Sequence, residues 1–176
     1  KSNLVATSLF ADGAAAALLA GADVPRPAEA RPVVVAARSH TWRDSLDVMG
    51  WNVTDDGMKV VFSKDIPTIV LREMPRVAAE LLSPAGLHAN DIARFALHPG
   101  GRKVLEAYER ALGLTSAQLS AAREVLERYG NMSSCTMLFV LERMMNAPGG
   151  PARGDRIVAG ALGPGFSAEL LLMNVV

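Results

Sequence analysis

Two short stretches of this 176-residue chain each place a hydrogen-bonding side chain at a backbone corner. In His98-Pro99-Gly100-Gly101 the histidine closes an apolar run, the glycines let backbone approach a ligand, and the helix that restarts behind them offers unpaired amide groups. In Gly130-Asn131-Met132-Ser133-Ser134 an asparagine follows a helix-stopping glycine, and two small serines leave room beside its carboxamide. Each residue also has a plainer use. His98 can be a strand-end residue satisfied by backbone, and Asn131 can be a helix N-cap. Both uses stay open at this level, and together the two corners suggest half of an active site.

The other half is not apparent. Cys135 is the single cysteine; it falls on the same helical face as Asn131 but beside Thr136, Met137 and Leu138, where a thiol behaves as a small buried hydrophobe. Asp12-Gly13 reads as a turn. Lys64-Asp65 reads as solvated charge, with Asp65 favouring a helix start. One cysteine makes no intramolecular disulfide, and no Cys/His spacing fits a metal, so a reducing, cytoplasmic setting is expected. Eighteen basic against eighteen acidic residues leave no footprint for nucleic acid or an anionic membrane. The apolar stretch Ala14 to Ala20 lacks the flanks of a signal peptide, and no segment approaches the ~20 residues of a spanning helix.

The elements that would position the corners follow from periodicity. Half of the residues are hydrophobic, enough for one core, and no composition shift divides the chain, so residues 1–176 are expected to form one domain. The alanine-rich run up to Gly21 favours a strand; 22–30 reads as a loop; Pro32 to Ala36 reads as a strand that could pair with the first in an antiparallel ribbon. Beyond a polar loop at Asp55-Asp56-Gly57, Met58 to Phe62 gives a short strand. Pro67 then opens a helix with Ile69, Val70, Met74, Val77 and Leu81 on one face. Ile92 to Leu97 is the strand that ends at His98, and a helix follows from Gly100 to the stop at Gly113. Thr115 and Gln118 form a capping-box signature for the helix that ends at Gly130. Asn131 is expected to start a further helix to about Met145. Ile157 to Leu162 and Ala168 to Val175 form a closing hairpin through Gly163-Pro164-Gly165. The expected architecture is α/β: a mixed sheet of about five strands covered by helices, with a partner layer beyond the chain.

Five ordered motifs resemble the chalcone and stilbene synthases, the type III polyketide synthases, over nearly the whole chain. They are Leu9-Phe10-Ala11-Asp12-Gly13-Ala14-Ala15-Ala16, Ser63-Lys64-Asp65-Ile66-Pro67, His98-Pro99-Gly100-Gly101, the Arg123-Glu124-Val125-Leu126 and Tyr129-Gly130-Asn131-Met132-Ser133-Ser134 pair, and Gly163-Pro164-Gly165. The resemblance implies one half of a thiolase-like fold, the C-terminal one. The sequence opens on Lys1, and an upstream half carrying the catalytic cysteine is expected to be absent from it. By the same resemblance His98 and Asn131 are two members of a Cys-His-Asn triad. The imidazole stabilises a thiolate, and both side chains donate to the thioester oxygen as malonyl-CoA loses carbon dioxide. Val60, Ser133, Leu162, Gly163, Pro164 and Gly165 are then walls of the substrate pocket. Plant members carry a bulky aromatic near Val60, so the valine implies room for a long or bulky starter. Ala161-Leu162 stands where the family often has Gly-Phe, and Cys135 where plant members have alanine.

The implied substrates are acyl-CoA and malonyl-CoA, with no metal and no cofactor beyond the coenzyme A thioesters themselves, and the intact protein is expected to be a homodimer. The chain alone is expected to be inactive. Two other readings stand beside this one. A ketoacyl synthase of the fatty-acid-initiating type also uses Cys-His-Asn, but tends to have His-Gln-Ala-Asn and a Thr-Ser pair at the two corners. A non-catalytic interaction domain would need neither corner.

Overall fold

The computed structural model describes residues 2–21, 23–25 and 29–176. Helix α1 (Ser2–Leu9) leads into the chain, followed by strands β1 (Pro32–Thr41), β2 (Met49–Thr54) and β3 (Gly57–Phe62) and helix α2 (Ile66–Leu82). Strand β4 (Arg94–Leu97), helices α3 (Arg102–Leu112), α4 (Ser120–Tyr129) and α5 (Cys135–Met145), and strands β5 (Arg156–Gly163) and β6 (Ser167–Val175) complete it.

The main sheet has four strands in the order β1-β6-β5-β4, with β4 parallel to β5 and the other pairs antiparallel; β2 and β3 form a separate hairpin. The mixed α/β character follows the sequence pattern, but the main sheet is smaller than the expected five strands. The strand expected over 14–20 does not form: 11–21 has no regular structure, all of it is exposed, and Leu18 stands 97 % open. Its alanines bring little apolar area, and β1, its expected partner, pairs with β6 alone among the described strands. Of the loop expected over 22–30, Ala22 and residues 26–28 lie outside the described residues. Strand β2 was not apparent in the sequence, because Trp51 and Val53 alternate with polar residues over a short span and both remain exposed.

Beyond Arg94, strand β4 is apolar for a visible reason: Phe95, Ala96 and Leu97 are all buried, as a strand covered on both faces requires. Helix α2 packs across β1 and β6 and against α3, while α5 packs across β4 and β5 and against α4. The buried face of α2 carries Ile66, Val70, Met74, Val77 and Leu81, with Pro67 in its first turn. Gly113 ends α3 in the left-handed conformation (φ 66°). Thr115 and Gln118 do form the capping box, whose first turn is a 3-10 turn, Ser116–Leu119. No helix of the described residues is long and apolar enough to cross a membrane.

Candidate active site

His98 sits immediately past the end of β4. Its backbone N–H donates to Gly160 O on β5 (2.8 Å), and its own carbonyl accepts from Gly100 N (3.0 Å), which closes the corner tightly before α3. Gly101, at φ 158°, is extended backbone, and the helix begins at Arg102. The imidazole is largely buried, and its Nδ1 has no hydrogen-bond partner among the described residues. Burial, which disfavours the charged ring, pushes the His98 pKa down to about 4.

Asn131 is built differently from the expectation. It does not start a helix; α5 begins at Cys135, four residues later. Instead its backbone is caught by the N-terminal segment, with Asn131 N donating to Leu9 O (2.9 Å) and Ala11 N donating to Asn131 O (2.9 Å). Its side-chain Oδ1 accepts the Ser133 N–H at 2.9 Å, a bond that spans two residues and makes a local turn. That bond fixes the amide orientation and leaves the NH2 as the donor end. Ser133 takes a positive φ of 60°, and Thr136 Oγ1 accepts the Met132 N–H at 2.8 Å, so the chain turns sharply into α5. Asn131 is 3 % exposed.

One cavity of about 280 Å3 is lined by both His98 and Asn131. Val60, Ser133, Leu162, Gly163 and Pro164 line it too, so the structure brings seven of the eight sequence-derived site residues to a single space. Gly165 is the exception. It does not line the cavity, and its φ of 127° is a conformation that favours glycine. The loop is held from behind by Phe166, which is fully buried, stacks on Trp42 (ring centroids 5.1 Å) and donates its N–H to Ser45 Oγ (2.7 Å). Phe10, Trp51 and Glu169 also face the cavity and were not singled out from the sequence. Alternation along β6 exposes Glu169 between buried Ala168 and Leu170, a signal that was readable; Phe10 and Trp51 arrive from elements whose placement was not.

Cys135 is half-buried, does not line this cavity, and its thiol donates to Met132 O at 3.0 Å. Among the described residues no group of three or more His, Cys, Asp or Glu could hold a metal ion. A neighbouring cleft shares Phe10, Phe62, Gly100 and Val104 with the cavity and carries Lys64, Arg102 and Lys103.

Comparison with known proteins matches residues 34–176 to the family described as chalcone and stilbene synthases, C-terminal domain. A protein of Bacillus subtilis (strain 168), named only as a candidate chalcone synthase, is 46% identical over 99% of this chain and 48% of its own length. The 1,3,6,8-tetrahydroxynaphthalene synthase of Streptomyces peucetius subsp. caesius is 38% identical over 98% of this chain and 45% of its own length. In fold, the C-terminal type III polyketide synthase domain of Steely1 from Dictyostelium superposes on all of this chain and 49% of its own, with a TM-score of 0.84 at 24% identity. The chain thus spans about half the length of the curated relatives it matches. The chain belongs to the chalcone and stilbene synthase family, whose C-terminal domain it represents.

Proposed function

We propose that this chain supplies the histidine and asparagine of the condensing centre of a type III polyketide synthase, which extends an acyl-CoA starter with malonyl-CoA by decarboxylative Claisen condensation and then cyclises the product. The observation that carries this reading is the shared cavity of His98 and Asn131. Residues 1–176 are then the C-terminal half, the nucleophilic cysteine belongs to the remainder of an intact homodimeric protein, and the chain alone performs no condensation.

The steps follow from the groups present. A cysteine thiol beside an imidazole ionises more readily, and its thiolate takes the acyl group from the starter thioester while coenzyme A leaves. The low proton affinity of His98 keeps the ring neutral until a thiolate faces it. When malonyl-CoA loses carbon dioxide, the electron pair of the broken C–C bond moves into the thioester carbonyl. The oxygen that gains charge is met by Nε2–H of His98 and the NH2 of Asn131. One such donor is worth roughly 3 kcal/mol. The enolate carbon then attacks the cysteine-bound acyl carbonyl, the new C–C bond forms, and the cysteine thiolate leaves. No metal or organic cofactor takes part in these steps.

The adjoining cleft supports coenzyme A as the carrier. Lys64, Arg102 and Lys103 place three cations in a cleft that shares Gly100 and Val104 with the cavity, against the acidic neighbours Asp65 and Glu106. Phosphate groups are matched by such charges. The apolar walls suit the acyl chain, with Val60, Leu162, Gly163 and Pro164 setting the size of the growing product.

In the intact protein, His98→Ala and Asn131→Ala are each expected to lower malonyl-CoA decarboxylation by about a hundredfold or more. Wild-type rates in either variant would overturn the role of that residue.

A further inference from the structure

The segment joining α1 to the exposed run 14–21 makes the only backbone bridge between the described N-terminal residues and Asn131, and it does so at the residue whose carboxamide the chemistry uses. Phe10 and Asn131 form a two-bond parallel bridge: Leu9 O accepts Asn131 N–H, and Asn131 O accepts Ala11 N–H, both at 2.9 Å. The approach is close on either side of the asparagine. A Cβ on Gly130 would stand 3.0 Å from Leu9 O and 3.3 Å from Ala11 Cβ, and Gly130 also holds φ 73°. A Cβ on Gly13 would stand 2.6 Å from Met132 Sδ and 2.9 Å from Met132 Cβ and Cγ. Two glycines, distant in sequence, therefore let one segment lie flat against Gly130, Asn131 and Met132.

The same segment reaches the other corner. Leu9 Cδ2 is the nearest atom to the position a Cβ would take on Gly101, at 3.9 Å, and Phe10 shares the cavity wall with His98 and Asn131. Asn131 has no helix beneath it, since α5 starts at Cys135, so its backbone is held by the short turn to Ser133 and by this bridge.

We propose that residues Leu9 to Gly13 are a positioning element of the active site: a two-bond backbone clamp that fixes Asn131, with Leu9 spacing it from the His98 corner. The inference rests on the proposed role of Asn131 and concerns how that side chain is aimed. Misplacement of a reacting group by about 1 Å costs on the order of a hundredfold in rate. Ala11 and Gly13 line neither the cavity nor the adjoining cleft, so their substitution acts on turnover rather than on substrate binding.

The test uses the intact protein that contains this chain, with malonyl-CoA decarboxylation as the readout. Ala11→Pro deletes the N–H that donates to Asn131 O, and Gly13→Ala drives a methyl group into Met132. Each is expected to lower kcat by about ten- to a hundredfold with KM within about twofold. In an Asn131→Ala background neither is expected to lower the rate further, because residues that act through one group are not additive. A segment that merely stabilises the fold would lower the rate by the same factor in both backgrounds, and that outcome overturns the inference. So does wild-type kcat in Ala11→Pro and Gly13→Ala when Asn131→Ala alone is impaired, an outcome that leaves the proposed function standing. Full activity of Asn131→Ala overturns the proposed function first and this inference with it. If Ala11→Pro does not fold, Gly13→Ala decides by the same comparison. In the wild type, hydrogen exchange gives an independent answer: the amides of Ala11 and Asn131 are expected to be protected, and exchange as fast as that of an open loop overturns the clamp.

Discussion

The backbone N–H of His98 is bonded to the carbonyl of Gly160 at 2.8 Å, so the histidine corner is carried directly on β5, the strand that ends in the Gly163–Pro164 wall of the cavity. The imidazole and the Gly163–Pro164 part of the wall thus share one support. Gly160 is the residue that permits this, because β4, β5 and β6 approach closely around it. A Cβ there would lie 2.4 Å from Leu170 Cδ2 and 3.2 Å from Leu97 Cδ2, both in the buried core. Gly160→Ala is therefore expected to cost about 1–3 kcal/mol by overpacking. Urea denaturation checks it, and an unchanged midpoint would show that the two leucines yield freely.

The buried imidazole links stability to pH with a definite sign. His98 has a folded value of about 4 against an ordinary 6.5, so between those pH values the unfolded chain binds the additional proton. Stability falls as pH drops from about 6.5, the loss is complete below about 4, and it reaches at most about 3 kcal/mol. Unfolding of the 176-residue chain followed from pH 7 to pH 4 should show this slope, and His98→Gln should remove it. Parallel curves for the two proteins would place the imidazole in a solvated setting.

The turn that carries Asn131 depends on a buried side chain. Thr136 is fully buried, and its hydroxyl accepts the Met132 N–H. Thr136→Val keeps the volume and orphans that amide, which costs about 1–3 kcal/mol, while Thr136→Ser retains the acceptor. Thermal unfolding should rank wild type above Ser and Ser above Val. Equal stability of the Val variant would mean that water reaches Met132 N.

Cys135 invites confusion with a nucleophile, four residues after Asn131. Its thiol is bonded to Met132 O, and the residue does not line the cavity. Cys135→Ala in the intact protein is expected to retain decarboxylation and condensation within about twofold. Loss of the acyl-enzyme in that variant would reassign the nucleophile.

These cases also show what a sequence makes legible. His98 and Asn131 were readable because each interrupts a clean period: an apolar strand stops at one, and a helix with a capping box stops just before the other. Helices α2 and α3 and the β5–β6 hairpin followed from spacing and from Pro67, Gly113 and Gly163-Pro164-Gly165. The run 14–20 misled because alanine and leucine fit a strand as well as a coil until a pairing partner is known, and β1, the expected partner, pairs only with β6 among the described strands. The start of α5 was displaced for a related reason. Asparagine caps helices well, but Asn131 is drawn into a bridge with Phe10, a contact between residues far apart that no local pattern records. Of the Gly163-Pro164-Gly165 motif, Gly163 and Pro164 line the cavity and Gly165 does not, a difference that the motif itself carries no sign of.

Val60 tests the shape of the cavity. It lies opposite Trp51 on the β2–β3 hairpin and faces the space that His98 and Asn131 share. Phenylalanine in its place would fill part of a volume of only about 280 Å3 and leave His98 and Asn131 themselves unaltered. Decarboxylation of malonyl-CoA should therefore survive Val60→Phe in the intact protein. By contrast, kcat/KM for long acyl-CoA starters should fall by about tenfold or more relative to short ones, since a few methylenes of lost room decide selectivity on that scale. Product profiles from paired short and long starters measure the ratio. An unchanged ratio would mean that the acyl chain runs along another wall, and the proline side of the loop, at Gly163 and Pro164, would be the next place to narrow.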